Sequence, residues 1–276
     1  MDLRGQCGLD LRRDELILLF LCKRKQQHNK ERIPKKRGNM DYIRQDNNHA
    51  VCHFQRKEYG KAKDCVTAAL GELRVQNDLA AKACHSFGQY CNGVSASTCI
   101  VRFHAVPGGL SQGLDEEKFE KEDLHFFSQP IIFDFTGPLH LRPKYQETIV
   151  SNTQRAACSA ACLYNLGLLN HMEYFSTQDS KCLLKARQLY ESAYYILMKM
   201  ADIRTNDSSM IVFLAVTSNL ASVFHILGDL ANLREWKHQL RDAFDACCLS
   251  VIQNEEMAEF FCESANLPDL SIARAA

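Results

Sequence analysis

Three asparagines, Asn48, Asn165 and Asn219, stand at the same position of three similarly spaced segments. A side-chain amide carries an acceptor oxygen and two donor hydrogens, so it can bind the N–H and the C=O of a peptide unit at once. These residues are therefore candidates for binding the backbone of an extended peptide. The alternative interpretation, which stays open at this point, is that the amides only cap helices or bridge neighbouring ones.

The 13 cysteines and 10 histidines of the chain call for a test of metal binding. Zinc sites need four ligands, commonly from two close pairs such as Cys-x-x-Cys. No Cys-x-x-Cys pair occurs, and the pairs His49 with His53 and Cys158 with Cys162 are four residues apart. The odd number of cysteines also argues against a disulfide framework. We expect reduced, mostly buried thiols, no metal site and no cofactor.

Motifs of the common enzyme classes are missing from the sequence. It contains no GxxxxGK[ST] phosphate loop, no GxGxxG after a strand, no GxSxG nucleophile turn and no HExxH zinc helix. The turn Pro107-Gly108-Gly109 has no helix after it that is placed to hold a phosphate. We expect a protein that is not an enzyme.

The elements that must position the asparagines are helices with recurring small residues. In each segment a small residue follows the asparagine by two positions, and two further residues lie seven positions apart. In the first and third segments, the first of these two residues comes 12 positions after the small residue. The three sets are Ala50, Ala62 and Ala69; Gly167, Ala186 and Ala193; and Ala221, Leu233 and Leu240. In the middle set the first distance is 19, and we expect this excess of seven at the turn around Met172–Ser180.

This pattern resembles the tetratricopeptide repeat (TPR), a helix–turn–helix unit that stacks into solenoids. The residues that carry the resemblance are Leu166, Gly167, Ala186, Tyr190 and Ala193 in the middle unit; Tyr59, Ala62, Ala69 and Leu70 in the first; and Gly228 and Asp229 in the third. The resemblance implies an all-α superhelix of antiparallel helix pairs. The units span about 41–75, 155–200 and 210–250.

The resemblance also implies a concave groove lined by the first helix of each unit. Besides the three asparagines, the groove would contain Asn47, Tyr164, Phe54, His171 and His225. Such a mixture of polar and aromatic side chains suits a peptide or a helix.

Residues 88–150 differ in composition from the helical segments. Glycines and prolines interrupt them, and Cys99–Val106 and Ile131–Phe135 are short runs that favour β-strands. We expect a long extended insertion between the first and second helix pairs, with one small strand pairing. A further hypothesis is that Ile131–Leu141 lies in the groove and acts as an internal ligand.

The net charge is zero, but residues 1–39 carry a net charge of +6 and the remainder −6. Residues 1–39 have the composition of a disordered basic arm. Residues 40–266 form the predicted helical domain, and 267–276 form a loose tail.

The resemblance implies a non-catalytic scaffold that binds another protein, as a peptide or a helix, in its groove. The alternative is association with RNA or DNA through the basic arm, although the body is net acidic and shows no recurring basic stripe. We expect no membrane partner, because the apolar run Leu16–Cys22 is far too short to span a bilayer. The expected location is the cytoplasm, or the nucleus if the basic run Lys30–Arg37 acts as a localisation signal.

Overall fold

The fold was taken from a computed structural model, which describes residues 40–86, 100–106, 126–136, 151–200, 207–247 and 255–266. The predicted basic arm, the predicted tail and the basic run Lys30–Arg37 lie outside these residues, as does much of the predicted insertion. The described part is mostly helical with one small sheet, which confirms the predicted helical class.

Helices follow one another in pairs along the described chain. They are α1 (Met40–Gln55), α2 (Tyr59–Ser86), α3 (Asn152–Thr177), α4 (Ser180–Met198), α5 (Asp207–Ile226), α6 (Leu230–Ala246) and α7 (Glu255–Asn266). The largest interfaces are those within the pairs α1–α2, α3–α4 and α5–α6, and each pair also packs on the next through α2–α3 and α4–α5. The first helices of the pairs touch one another as well, α1 with α3 and α3 with α5.

The turns within the three pairs share one backbone feature, a residue in the left-handed region. Lys57, Gln178 and Gly228 have φ values of 60°, 56° and 71°. A left-handed residue after a helix lets the following N–H groups bond back to the last carbonyls, which ends the helix and reverses the chain. Glycine adopts this conformation without strain, whereas the other two residues carry a Cβ into it.

Side-chain caps begin several of the helices. The Ser151 side chain accepts from the Gln154 N–H, and the Gln154 side chain accepts from the Ser151 N–H, so a capping box starts α3. Asp179 and Asp229 accept from the first turns of α4 and α6. These local bonds satisfy N–H groups that a helix start leaves without partners.

The middle pair shows what the seven extra residues around Met172–Ser180 form. Helix α3 continues 12 residues past Asn165, whereas α1 and α5 each end seven residues past their own asparagine. The turn itself is only Gln178 and Asp179. The extra residues therefore lengthen the two helices and do not enlarge the turn.

Helix α5 is deeply buried in the described part of the chain. Its stretch Ser209–Ile226 is long and apolar enough to cross a membrane by length and composition, yet 89% of it is buried inside the fold. The core helix of a protein without membrane segments meets the same criteria, so the burial accounts for the composition.

Two strands, β1 (Ile100–Ala105) and β2 (Ile131–Thr136), pair antiparallel from Ile100 opposite Thr136 to Ala105 opposite Ile131. Strand β2 packs on α1 and α3, and β1 packs on α5. One face of the ribbon is buried, and its side chains are those of Val101, Phe103, Ala105, Ile131, Phe133 and Phe135. The ribbon therefore lies against the first helices of the pairs.

Candidate functional site

Each of the three asparagines binds the backbone of one residue in a single stretch, Phe126–Phe135, the second half of which belongs to strand β2. The Asn165 Oδ1 accepts the Ile131 N–H at 2.8 Å, and its Nδ2 donates to the Ile131 C=O at 2.7 Å. Asn219 holds Phe127 in the same way at 2.7 and 3.0 Å. Asn48 holds Phe133 at 3.4 and 3.3 Å. We call these three residues the asparagine face and Phe126–Phe135 the inner segment.

The strand geometry explains why Ile131 and Phe133 both face the asparagines. Backbone groups of residues two apart point to the same edge of a strand. On the opposite edge the Val106 N–H donates to the Pro130 C=O at 3.0 Å, at the end of the β1–β2 ladder. The even-numbered residues of β2 therefore pair with β1, and the odd-numbered ones are left for the amides.

Asn47, which was also expected in the groove, joins two members of this arrangement. It is fully buried, its Nδ2 donates to the Ile131 C=O at 3.0 Å, and its Oδ1 accepts from Asn165 Nδ2 at 2.9 Å. The buried Cys162 thiol also donates to the Asn47 Oδ1 at 3.5 Å. The amides of α1 and α3 thus form one buried network around Ile131, in which each polar group has a partner.

Tyr164 and Tyr190 complete the polar contacts near Phe127. The Tyr164 hydroxyl lies 2.9 Å from the Phe127 C=O and 3.0 Å from the Gln129 C=O. The Tyr190 hydroxyl accepts from Asn219 Nδ2 at 3.1 Å. Burial raises the pKa of both phenols, so both stay neutral and able to donate at physiological pH.

His171 contributes an aromatic surface rather than a charge. Its ring centroid lies 4.7 Å from that of Phe126 and 5.1 Å from that of Phe175. Burial lowers the pKa of His171 to about 3, which keeps the ring neutral. Its Nδ1 lies 3.5 Å from the Tyr190 hydroxyl, while its buried Nε2 has no hydrogen-bond partner in the described part of the chain.

Two expected groove residues lie elsewhere. Phe54 is buried and packs edge-on against Tyr59 of α2 at 5.8 Å, a contact inside the first helix pair. His225 is half-buried near the end of α5. Within the described ranges, neither side chain makes a hydrogen bond or ring contact to the inner segment.

Sequence reasoning missed the aromatic anchor of the inner segment. Phe127 is buried, and its ring centroid lies 4.9 Å from Phe261 and 5.5 Å from Phe260, both on α7. The available signal was the pair Phe126-Phe127 just before the β-prone run. Of the hypothesised internal ligand Ile131–Leu141, the part up to Phe135 lies on the asparagine face, and residues 137–141 lie outside the described ranges.

The candidate metal pairs are not brought together into a larger set. Among the described residues, no group of three or more His, Cys, Asp or Glu side chains is placed to hold a metal ion. His53 contacts Glu58 at 2.6 Å, and Cys158 and Cys162 are buried. Burial raises the pKa of both thiols, which keeps them protonated.

Comparison of the chain with protein-family models, curated proteins and solved structures gives no match.

Proposed function

We propose that this chain is a TPR-like helical-repeat scaffold without catalytic activity, which binds an extended segment of another protein on its asparagine face. The observation that carries the proposal is that Asn48, Asn165 and Asn219 each bind both backbone groups of one residue in a single segment. These amides stand at equivalent positions of three helix pairs, and two of them bind residues of strand β2.

The buried position of the amides supports a binding role over a capping role. An amide that caps a helix bonds to the first turn of its own or a neighbouring helix. All three asparagines instead bond to a segment outside the helices, and Asn165 and Asn219 are at least 97% buried. If the segment left and nothing replaced it, the amides would lose their hydrogen-bond partners and the protein would be destabilised.

The inner segment therefore serves as an intramolecular occupant, and the proposed partner replaces it. Recognition through main-chain hydrogen bonds is a recurring way to bind an extended peptide. An incoming strand recovers the bonds that the departing segment gives up, so the exchange leaves no buried amide without a partner. This requirement restricts the partner to chains that present a row of backbone N–H and C=O groups.

A peptide-display selection tests the proposal on full-length protein that carries Ile131→Ser and Phe133→Ser, so that the inner segment no longer competes for the asparagine face; circular dichroism checks that this variant is folded. Peptides enriched on it are measured against the same protein with Asn165→Leu added, which keeps the shape of the side chain but removes its hydrogen bonds. We expect affinity to fall by at least about tenfold, because the two backbone bonds to the peptide are lost. Asn152→Leu, at an exposed position of α3, is the matched control and should leave the affinity unchanged. Enriched peptides that bind equally with and without Asn165→Leu would contradict the proposal.

The alternative function, association with RNA or DNA through the basic arm, stays a prediction from the sequence, because residues 1–39 lie outside the described ranges. A direct measurement of nucleic-acid binding at two salt concentrations tests it, since binding through phosphates weakens as salt rises.

A further inference from the structure

The side chains of the inner segment show which extended chains the asparagine face would take. The bonds that the three amides make to the inner segment go only to main-chain groups, so they accept any sequence that presents its backbone in the same way. Discrimination must then come from the side chains that flank the bonded backbone. This inference rests on the function proposed above and goes one step further, to the chemical class of the partner.

Alternate side chains enter the fold in the strand part of the inner segment, Ile131–Phe135. Ile131 and Phe133 have no exposed surface, and Phe135 is 6% exposed, whereas Ile132 is half-buried and Asp134 is exposed. This is the period of two that a strand imposes when one of its faces is buried. The positions that point inward are apolar and large.

The inward positions are surrounded by aromatic and apolar groups of the rest of the chain. The ring of Phe133 lies 5.9 Å from that of Phe103 on β1, and the ring of Phe127 packs against those of Phe260 and Phe261 of α7. A polar side chain at these positions would lose its water without gaining a hydrogen bond, which is unfavourable. Small side chains would leave cavities.

One outward position carries a charge preference. Asp134 accepts a hydrogen bond from Arg44 Nη1 of α1 at 2.9 Å. Arg44 and Asp134 side chains are 31% and 54% exposed, so the pair contributes modestly to affinity and more to the choice of partner. A basic residue at this position would face the guanidinium group.

We infer that the partner is an extended strand with large apolar side chains at the positions of Ile131, Phe133 and Phe135, an aromatic side chain at the position of Phe127, and an acidic residue at that of Asp134. The inner segment is its competitor. Because a tethered segment competes at an effective concentration on the order of millimolar, a free peptide with the same contacts binds measurably only when the inner segment is weakened.

The test uses full-length protein and a fluorescent peptide with the sequence of residues 126–136. Its affinity is measured by anisotropy for the wild type and for Asp134→Lys, which weakens the inner segment at an exposed position without opening a cavity. The peptide, which keeps its own aspartate, should bind Asp134→Lys several-fold more tightly than the wild type at low salt, because the inner segment loses its contact with Arg44. A second variant, Phe127→Ala, weakens the anchor instead, and circular dichroism shows whether it is folded.

Two altered peptides decide the class of partner. One carries serine at the positions of Ile131, Phe133 and Phe135, and the other carries lysine at that of Asp134. We expect the serine peptide to lose binding and the lysine peptide to bind several-fold more weakly at low salt. Equal binding of all three peptides would overturn this inference and leave the proposed function standing.

Failure of this inference can also be distinguished from failure of the proposed function. If none of these peptides binds Asp134→Lys, the inference is overturned. The proposed function then depends on the display selection, where enriched peptides of another pattern that need Asn165 would still support it.

Discussion

Gly167 of α3 lies so close to Tyr190 of α4 that a Cβ at position 167 would be 2.6 Å from the Tyr190 Cε1. The same tyrosine presents its hydroxyl to Asn219 on α5, 3.1 Å from the amide nitrogen. The close approach of α3 and α4 therefore positions the Tyr190 ring, whose hydroxyl accepts a hydrogen bond from one member of the asparagine face. A single glycine links the packing of the middle pair to the site.

We predict that Gly167→Ala destabilises the protein by about 1–3 kcal/mol, because the new methyl group overpacks a fully buried ring. Urea denaturation followed by circular dichroism measures the change in the free energy of unfolding. The matched control is Gly71→Ala in the middle of α2, where a Cβ would meet nothing within 4 Å. That substitution should be neutral or stabilising by up to about 1 kcal/mol, since alanine favours helices. Equal effects of the two would contradict the argument.

The hydrogen bonds of the asparagine face predict a gradient of stability. Asn165→Leu should cost about 2–4 kcal/mol, because it leaves two buried backbone groups of Ile131 with fewer partners. Asn48→Leu should cost less, since its bonds to Phe133 are longer, at 3.3 and 3.4 Å, and only partly buried. Urea denaturation gives both values.

Hydrogen exchange measures the protection of backbone amides in the same two variants and is independent of the denaturation data. In Asn165→Leu the amide of Ile131 should lose protection, while in Asn48→Leu the loss should be centred on Phe133. If the inner segment stayed equally protected in both variants, the asparagines would not be what holds it.

The neutral state of His171 predicts a dependence of stability on pH. Its pKa is about 3 in the folded chain against an ordinary value of about 6.5, because burial disfavours the charged ring. The unfolded chain therefore takes up a proton that the folded chain does not. The contribution of this ring is fully present above about pH 6.5 and is lost as the pH falls toward 3, at up to about 1.4 kcal/mol per pH unit.

His171→Phe removes this dependence while keeping an aromatic ring packed against Phe126 and Phe175. We expect the variant to match the wild type within about 1 kcal/mol at pH 7 and to exceed it by a margin that widens down to pH 4. Urea denaturation at several pH values measures the difference, in which the carboxyl groups common to both proteins cancel. A constant difference across this range would show that His171 titrates in the same way in both states.

Thiol accessibility predicts an order of alkylation. Cys52 and Cys262 are exposed, whereas Cys158 and Cys162 are buried with raised pKa values. The thiolate is the reactive form, so the buried pair should react at least about 100-fold more slowly with iodoacetamide at pH 8. Peptide mapping by mass spectrometry after timed quenching gives the rates, and addition of denaturant should equalise them.

The helices were predictable because their signals are local. Apolar and small residues recur at spacings of three, four and seven, and capping residues such as Asp179 and Asp229 stand next to the helices that they begin. The equivalence of Asn48, Asn165 and Asn219 also followed from spacing alone. The lengthening of α3 and α4 was not predictable in this way, because seven extra residues increase the spacing between Gly167 and Ala186 equally whether they form a loop or more helix.

The sequence by itself determined the helix pairs, the register of the three amides and the strand propensity of Ile131–Phe135. Only the tertiary structure decided that two of the amides bind that strand and the third binds Phe127, that Phe127 packs against Phe261 of α7, and that Phe54 belongs to the interior of a helix pair. The physical reason is that these contacts join residues far apart in the chain. Such contacts depend on how the helices pack together, and they leave no periodic trace in the sequence.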